Sequence, residues 1–315
     1  MARGILTPSF RLLPPTNRGQ RRRVVSLGRQ DRTRTRCVSL KSSGGLFLSC
    51  GILFYMHTSE LKSSLVLITG ASSGIGRELA RLFARDRYQL LLVARDGEAL
   101  TTLAKELKRD WDIPVTCCAG DLTDTSFLNA LPSQVRAVGV PLTHLVNNAG
   151  SGIQGNFTET NWEREQESLQ LNTMAPTLLT KLLLPDLIQH QGKILFVCST
   201  ASFLPGPGMA VYYATKAYLF SLSESLRAEV ASFGVSVTAL LPGPTATGFQ
   251  AANGLPPLSS PRFPSAQRVA RTGYRALARG QSIALCGWMN QLLYIFAKFA
   301  PKSLTRSILT WHFQK

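Results

Sequence analysis

The run Leu65-Val66-Leu67-Ile68-Thr69 passes directly into Gly70-Ala71-Ser72-Ser73-Gly74-Ile75-Gly76, and an amphipathic stretch from Arg77 to Arg85 follows. A short apolar run, a glycine-rich turn and a helix-period pattern read, in that order, as buried strand, tight turn and helix. Glycines permit positive φ and let backbone approach a ligand closely. The helix N-terminus that follows offers unpaired N–H groups and a partial positive charge, which suits a phosphate. The spacing is G-x-x-x-G-x-G rather than G-x-G-x-x-G. An ordinary strand-to-helix loop is the plainer alternative, but the strand before and the helix after both fit the phosphate reading.

Strand-like runs recur at Gln89–Ala94, Val115–Ala119, His144–Asn147, Lys193–Cys198 and Ser236–Leu241, with helix-like stretches between them. That alternation predicts βαβ units and a parallel sheet, hence an α/β, doubly wound (Rossmann) fold. The chain has 315 residues, of which 44% are hydrophobic, enough for one large core. The end of the second strand should lie beside an adenosine ribose. Arg95 follows that strand and Arg77 opens the first helix, and both are placed to meet a 2′-phosphate. We therefore expect NADP(H), with NAD(H) as the alternative. Asp96 comes next, and a register shift of one residue would exchange the two readings.

Tyr212 and Lys216 are four residues apart, and Ser199 lies thirteen positions before Tyr212. On a helix, i and i+4 share a face. A phenol titrates near pH ~10 and a neighbouring ammonium favours its ionised form. At ~4 Å and an effective dielectric of ~20 the attraction is about 4 kcal/mol before desolvation. The expectation is a Tyr212 phenol whose pKa Lys216 lowers toward the range of a general acid/base. Taken alone, Y-x-x-x-K more often means a packed Tyr and a solvated Lys.

The glycine turn, the Ser199/Tyr212/Lys216 set and Asn147-Asn148-Ala149-Gly150 together resemble the short-chain dehydrogenase/reductase family, as do Asp121, Asn172 and Pro242-Gly243 in their order and spacing. The likeness is strong over residues 62 to 250. It implies a single domain with a seven-stranded parallel sheet, a nicotinamide cofactor and a carbonyl/alcohol redox reaction. It makes Tyr212 the acid/base, Lys216 the group that tunes it and holds the nicotinamide ribose, and Ser199 a hydrogen-bond partner of the substrate oxygen. Asn172 would support a water that relays protons to Lys216. Gly70, Ser72, Ser73, Gly74, Ile75 and Gly76 would hold the phosphates, while Asp121 and Leu122 would flank the adenine. Asn148, Ala149 and Gly150 would line the strand end beneath the cofactor, and Pro242, Gly243, Thr245 and Thr247 would meet the nicotinamide end. Cys198 stands where the family often has a second Ser, and strand alternation turns it to the other face from Ser199. A cofactor-binding regulator or scaffold without turnover is the alternative, but such a protein would have lost part of the Ser/Tyr/Lys set.

The six cysteines form no C-x-x-C pair and read as reduced, mostly buried thiols. No His/Cys/Asp cluster has metal-ligand spacing, so no metal is expected. Ser199 lacks a G-x-S-x-G elbow, which argues against a hydrolase. The formal net charge is +17, and residues 1–55 carry ten Arg and one Lys against one Asp. This basic segment is poor in aromatics and unpatterned, so nucleic acid is not the expected partner. It is read as disordered: either an over-extended reading frame or dispensable tail before Met56, or an organellar targeting peptide. The apolar stretch Leu46 to Met56 is too short to span a bilayer.

We set the catalytic domain at 56–280 and a C-terminal helical extension at 281–315. Pro244 to Arg262 is rich in Pro, Gly, Ser and Thr, and reads as a lid over the substrate. Trp288 to Pro301 and Leu304 to Phe313 are apolar and cationic, and no acid occurs after Glu229. That tail is expected on an anionic membrane surface, over the substrate pocket or in a subunit interface. Phe203, Leu204, Met209, Phe249, Leu255 and Leu292 suggest a hydrophobic carbonyl or alcohol substrate. The resemblance implies a homodimer or homotetramer through two long helices, Trp162–His190 and Met209–Phe233. The expected location is the cytoplasm, with membrane association or organelle delivery as alternatives.

Overall fold

The computed structural model describes residues 61–253 and 263–300. The basic segment 1–55, Leu255 within the lid and the stretch Leu304 to Phe313 lie outside the described residues. Strand β1 (Leu65–Thr69) is buried along its whole length and feeds helix α1 (Gly74–Arg85). The chain returns through β2 (Gln89–Ala94), α2 (Gly97–Trp111), β3 (Val115–Ala119), α3 (Thr125–Ala137) and β4 (Leu142–Asn147). Helices α4 (Trp162–Leu169) and α5 (Ala175–Gln189), β5 (Lys193–Val197), α6 (Ala210–Val230) and β6 (Ser236–Leu241) follow. The described chain closes with α7 (Phe249–Ala252), α8 (Ala266–Ala278), β7 (Ile283–Leu285) and α9 (Trp288–Phe299).

The seven strands make one sheet in the order β3-β2-β1-β4-β5-β6-β7, every pair parallel. Strand alternation divides the core in two. Leu65, Leu67, Leu91, Leu145 and Phe196 pack on one face with α3, α5 and α6. Val66, Ile68, Leu92, Val146 and Leu240 pack on the other with α1, α2 and α8. Each such fully buried side chain contributes about 1.5–3 kcal/mol, so both faces anchor the strands whose ends carry the site. Successive strands depart in opposite directions from β1, toward β2 on one side and β4 on the other. A crevice at the carboxyl ends of the strands is the consequence.

Two elements and one cysteine differ from the sequence reading. Strand β7 pairs with β6, so the sheet continues past residue 280 and the extension begins after it. The expected single helix Trp162–His190 is interrupted by a π-helical turn, Gln170–Met174. Its apolar positions recur on both sides of the turn, which hid the break. An i→i+5 turn adds a residue locally, and here it carries Asn172 into the interior. Cys117 is exposed on the edge strand β3, whereas Cys118, Cys198 and Cys286 are buried.

Candidate active site

A cleft of about 670 Å³ opens along the carboxyl ends of β1 to β6. Gly70, Ser72, Ser73, Gly74 and Ile75 line it after β1, Arg95 after β2, Asp121 and Leu122 after β3, and Asn148, Ala149 and Gly150 after β4. Ser199 lines it after β5, Tyr212 and Lys216 from α6, and Pro242, Gly243, Thr245 and Thr247 after β6. Of the residues read from the sequence, Gly76 and Asn172 stand behind the wall rather than in it.

The glycine turn is held by close contacts that exclude side chains. Gly70 has φ +63°, and a Cβ there would lie 2.8 Å from Asn148 Nδ2. A Cβ on Gly76 would lie 2.2 Å from the Gly70 carbonyl oxygen. The Asn148 amide donates to the carbonyls of Thr69 and Gly70, both at 3.0 Å. The Thr69 hydroxyl accepts from the backbone N–H groups of Asn148 and Ala149 at 2.9 and 3.1 Å. The ends of β1 and β4 are thus one rigid piece. Helix α1 begins at Ser73 with no side-chain cap and no acid in its first turn. By contrast, α2, α3, α4 and α8 are each capped by an Asp, Asn or Ser side chain. The free N–H groups of α1, with the Ser72 and Ser73 hydroxyls beside them, are what a pyrophosphate requires. The donor set therefore fits a dinucleotide.

At the adenosine end β2 stops at Ala94 and Arg95 is exposed on the cleft wall. The Asp96 carboxylate caps α2, accepting from the Ala99 N–H at 2.9 Å. Asp96 also lines the cleft, with one carboxylate oxygen engaged in that cap. Arg77 does not share the role of Arg95. Its guanidinium is paired with Glu106 at 3.0 Å and lies outside the cleft wall, because α2 packs an acid against the outer side of α1. Asp121 accepts from the N–H and hydroxyl of Thr123, both at 2.8 Å, which fixes the turn after β3.

At the other end Ser199, Tyr212 and Lys216 converge. The Ser199 hydroxyl accepts from the Ala201 N–H at 3.1 Å and donates to the Pro242 carbonyl at 3.4 Å. Lys216 is buried, and its ammonium donates to the Val197 carbonyl at 3.1 Å. It stands 5.8 Å from the centre of the Tyr212 ring. Burial pushes the Tyr212 phenol up to about 12, with the neighbouring Ser199 hydroxyl acting in the opposite direction. The direction is set by desolvation, and the Lys216 ammonium is turned to a backbone carbonyl rather than to the phenol oxygen. Burial also lowers the Lys216 pKa. Cys198 is not turned away from this cluster as strand alternation suggested. It follows the last residue of β5, lines the cleft and sits close enough to Lys216 to feel its charge, while burial pushes its thiol up to about 12.

The Asn172 side chain is engaged with protein groups. Its amide donates to the Ser151 carbonyl at 2.8 Å and to the Thr215 hydroxyl at 3.0 Å, and its oxygen accepts from the Ser151 N–H at 3.0 Å. It ties the Gly150–Ser151 turn to the helix that carries Tyr212 and Lys216.

The family model for short chain dehydrogenases matches residues 64–255. The chain belongs to the short-chain dehydrogenase/reductase family. It is 32% identical over 188 residues to the very-long-chain 3-oxoacyl-CoA reductase of Kluyveromyces lactis, covering 57% of this chain and 54% of that protein. It therefore spans little more than half the length of that relative. The 11-beta-hydroxysteroid dehydrogenase-like 2 of Arabidopsis thaliana is 29% identical over 263 residues, 79% of this chain and 81% of that one. Among solved structures, a short-chain dehydrogenase from Sphingobium yanoikuyae in complex with NADPH superposes with a TM-score of 0.70 at 31% identity. That match covers 76% of this chain and 94% of the other. Members of this family are NAD(P)-dependent oxidoreductases.

Three residues of the short-chain dehydrogenase site, Gly152, Asn253 and Asn290, were not singled out from the sequence. Asn253 accepts from the Gly152 N–H at 2.9 Å and donates to the Phe249 carbonyl at 2.7 Å, which fastens α7 to the loop after β4. Phe249 lies over Tyr212, ring centres 5.8 Å apart. A Cβ on Gly152 would lie 2.8 Å from the Tyr212 ring, so only glycine leaves room there. Asn290 of α9 lies against Gly243, where a Cβ would be 2.8 Å from its amide nitrogen. Of the apolar residues assigned to substrate, Met209 and Phe249 line the cleft. Phe203 instead packs edge-on against Tyr294, Leu204 is absent from the wall, and Leu292 is exposed on α9.

Proposed function

We propose that this chain is an NADP(H)-dependent oxidoreductase acting on a carbonyl or secondary alcohol of a hydrophobic small molecule, with Tyr212 as its acid/base. The observation that carries the reading is the convergence of Ser199, Tyr212 and Lys216 on the same cleft as the uncapped α1 N-terminus and the exposed Arg95. Ser72, Ser73 and the α1 N–H groups would hold the pyrophosphate, Arg95 a 2′-phosphate, and Lys216 and Thr247 the nicotinamide end. Bound there, the dinucleotide supplies or accepts the hydride at the substrate carbon.

The protein's own work is on the oxygen. Ser199 orients it, and Tyr212 gives it a proton in reduction and removes one in oxidation. A phenol raised by burial is protonated at neutral pH, the form that donates in reduction. Asn172 keeps the Gly150–Ser151 turn and α6 in register with each other. Phe249 and Met209 offer an apolar wall beside Tyr212. The names of the Kluyveromyces lactis and Arabidopsis thaliana relatives, an acyl-CoA reductase and a steroid dehydrogenase-like protein, agree with an apolar substrate.

The test is titration of the purified chain with NADPH and NADH, followed by absorbance at the nicotinamide band with steroid, fatty-acyl and sugar carbonyls. Saturable NADPH binding and turnover of apolar ketones are expected. Binding without turnover of any carbonyl, or preference for NADH, would contradict it.

A further inference from the structure

Helix α9 is built the wrong way round for a helix on a protein surface. Its polar and mixed side meets the protein: Asn290 lies against Gly243 and Tyr294 packs on Phe203 at 5.2 Å. Its large apolar side chains face outward. Trp288, Met289, Leu292, Ile295, Phe296 and Phe299 fall at i, i+1, i+4, i+7, i+8 and i+11, a single stripe along the helix. All six are exposed, from 43% at Phe296 to 78% at Phe299. A stripe of this kind marks a contact surface rather than a packed core.

Charge decides what covers it. From Trp288 to the last residue the sequence has Lys298, Lys302, Arg306 and Lys315 and no Asp or Glu. Two copies of α9 meeting on this face would offer Lys298 no acidic partner. An anionic surface would be matched, with Lys298 at the flank of the stripe and Trp288 at its head, as interfacial helices require. Among the described residues no helix is long and apolar enough to cross a membrane.

We propose that α9 docks this protein on the surface of an anionic lipid bilayer, with its apolar stripe lying in the plane of the interface. Because Asn290 and Tyr294 on the inner side contact Gly243 after β6 and Phe203 after β5, docking sets the substrate end of the cleft beside the lipid. Membrane-dissolved substrates would then enter without crossing water. The docking itself does not rest on the redox reading.

The test is flotation of the full chain with vesicles of phosphatidylcholine alone and with vesicles that also contain phosphatidylglycerol. Binding to the anionic vesicles, weakened by salt, is expected, and emission from Trp288 should shift to the blue, assigned by its loss in Trp288→Phe. Leu292→Glu with Phe296→Glu should lower the partition coefficient roughly tenfold or more, with circular dichroism and the melting temperature unchanged. If that double variant fails to fold, Lys298→Glu alone should still lower binding to anionic vesicles about fivefold. Absence of flotation, or flotation that these substitutions leave intact, would overturn the proposal. So would a concentration-dependent dimer that the double variant dissolves and vesicles do not compete with, because the stripe would then belong to a second copy.

Discussion

The two ends of the cleft are built on different principles. At the nucleotide end the geometry is set by backbone: positive φ at Gly70, a Gly76 with no space for a Cβ, and the Thr69–Asn148 hydrogen bonds joining β1 to β4. At the substrate end it is set by side chains borrowed from later elements: Phe249 and Asn253 of the segment after β6, and Asn290 and Tyr294 of α9. Backbone constraints leave a mark in the sequence, because only certain residues satisfy them. Side-chain contacts between distant segments can be met in many ways. The first end can therefore be conserved in chemistry while the second changes its substrate.

The contrast can be broken most sharply at Gly76. Gly76→Ala would press a methyl group onto the Gly70 carbonyl. Overpacking of this kind costs about 1–3 kcal/mol, and the distortion falls on the phosphate-binding turn itself. Calorimetric titration should show NADPH affinity reduced by roughly a hundredfold. Affinity within error of the parent would mean that the turn is not the phosphate site.

The pH profile comes next. Tyr212 is raised above its ordinary value, so it is protonated through the neutral range. Oxidation needs the ionised phenol and reduction the protonated one. Alcohol oxidation should therefore rise roughly tenfold per pH unit above neutrality, toward the phenol's pKa, while carbonyl reduction holds steady there. An oxidation rate already flat from neutral pH upward would show that Lys216 lowers the phenol in the working enzyme after all.

Arg95 sharpens the nucleotide end. A charge-assisted hydrogen bond contributes about 1.5–3 kcal/mol, so Arg95→Ala should weaken NADPH roughly tenfold to a hundredfold and leave NADH nearly unchanged. Equal losses for both would remove the 2′-phosphate assignment. The smallest effect is expected at Asn253. Asn253→Ala removes the tie between Gly152 and α7, and the substrate KM should rise about fivefold with nucleotide affinity intact.

Much of the framework could be read before the structure. Strands β1, β2 and β6 lie where the apolar runs place them, because a strand buried on both faces must be apolar throughout. The glycine turn and the Tyr212/Lys216 spacing were legible for the same reason: few residue types do those jobs. Strand β7 was not, since three residues at a sheet edge carry no periodic signal. The π-helical turn was invisible because the apolar pattern continues across it. The orientation of the Lys216 ammonium toward Val197 depends on a backbone carbonyl that sequence does not place, and the upward shift of Tyr212 on its burial in the assembled cleft. Helix α9 was read as apolar and cationic, but which of its sides meets the protein is a tertiary fact.

The most direct measurement is carbonyl reduction by Tyr212→Phe, with NADPH titrated into the same preparation. The phenyl ring keeps the contact with Phe249 and loses only the hydroxyl. Turnover should fall about 10²- to 10⁴-fold while NADPH affinity stays within about twofold. Turnover equal to that of the parent protein would contradict the assignment of Tyr212 as acid/base.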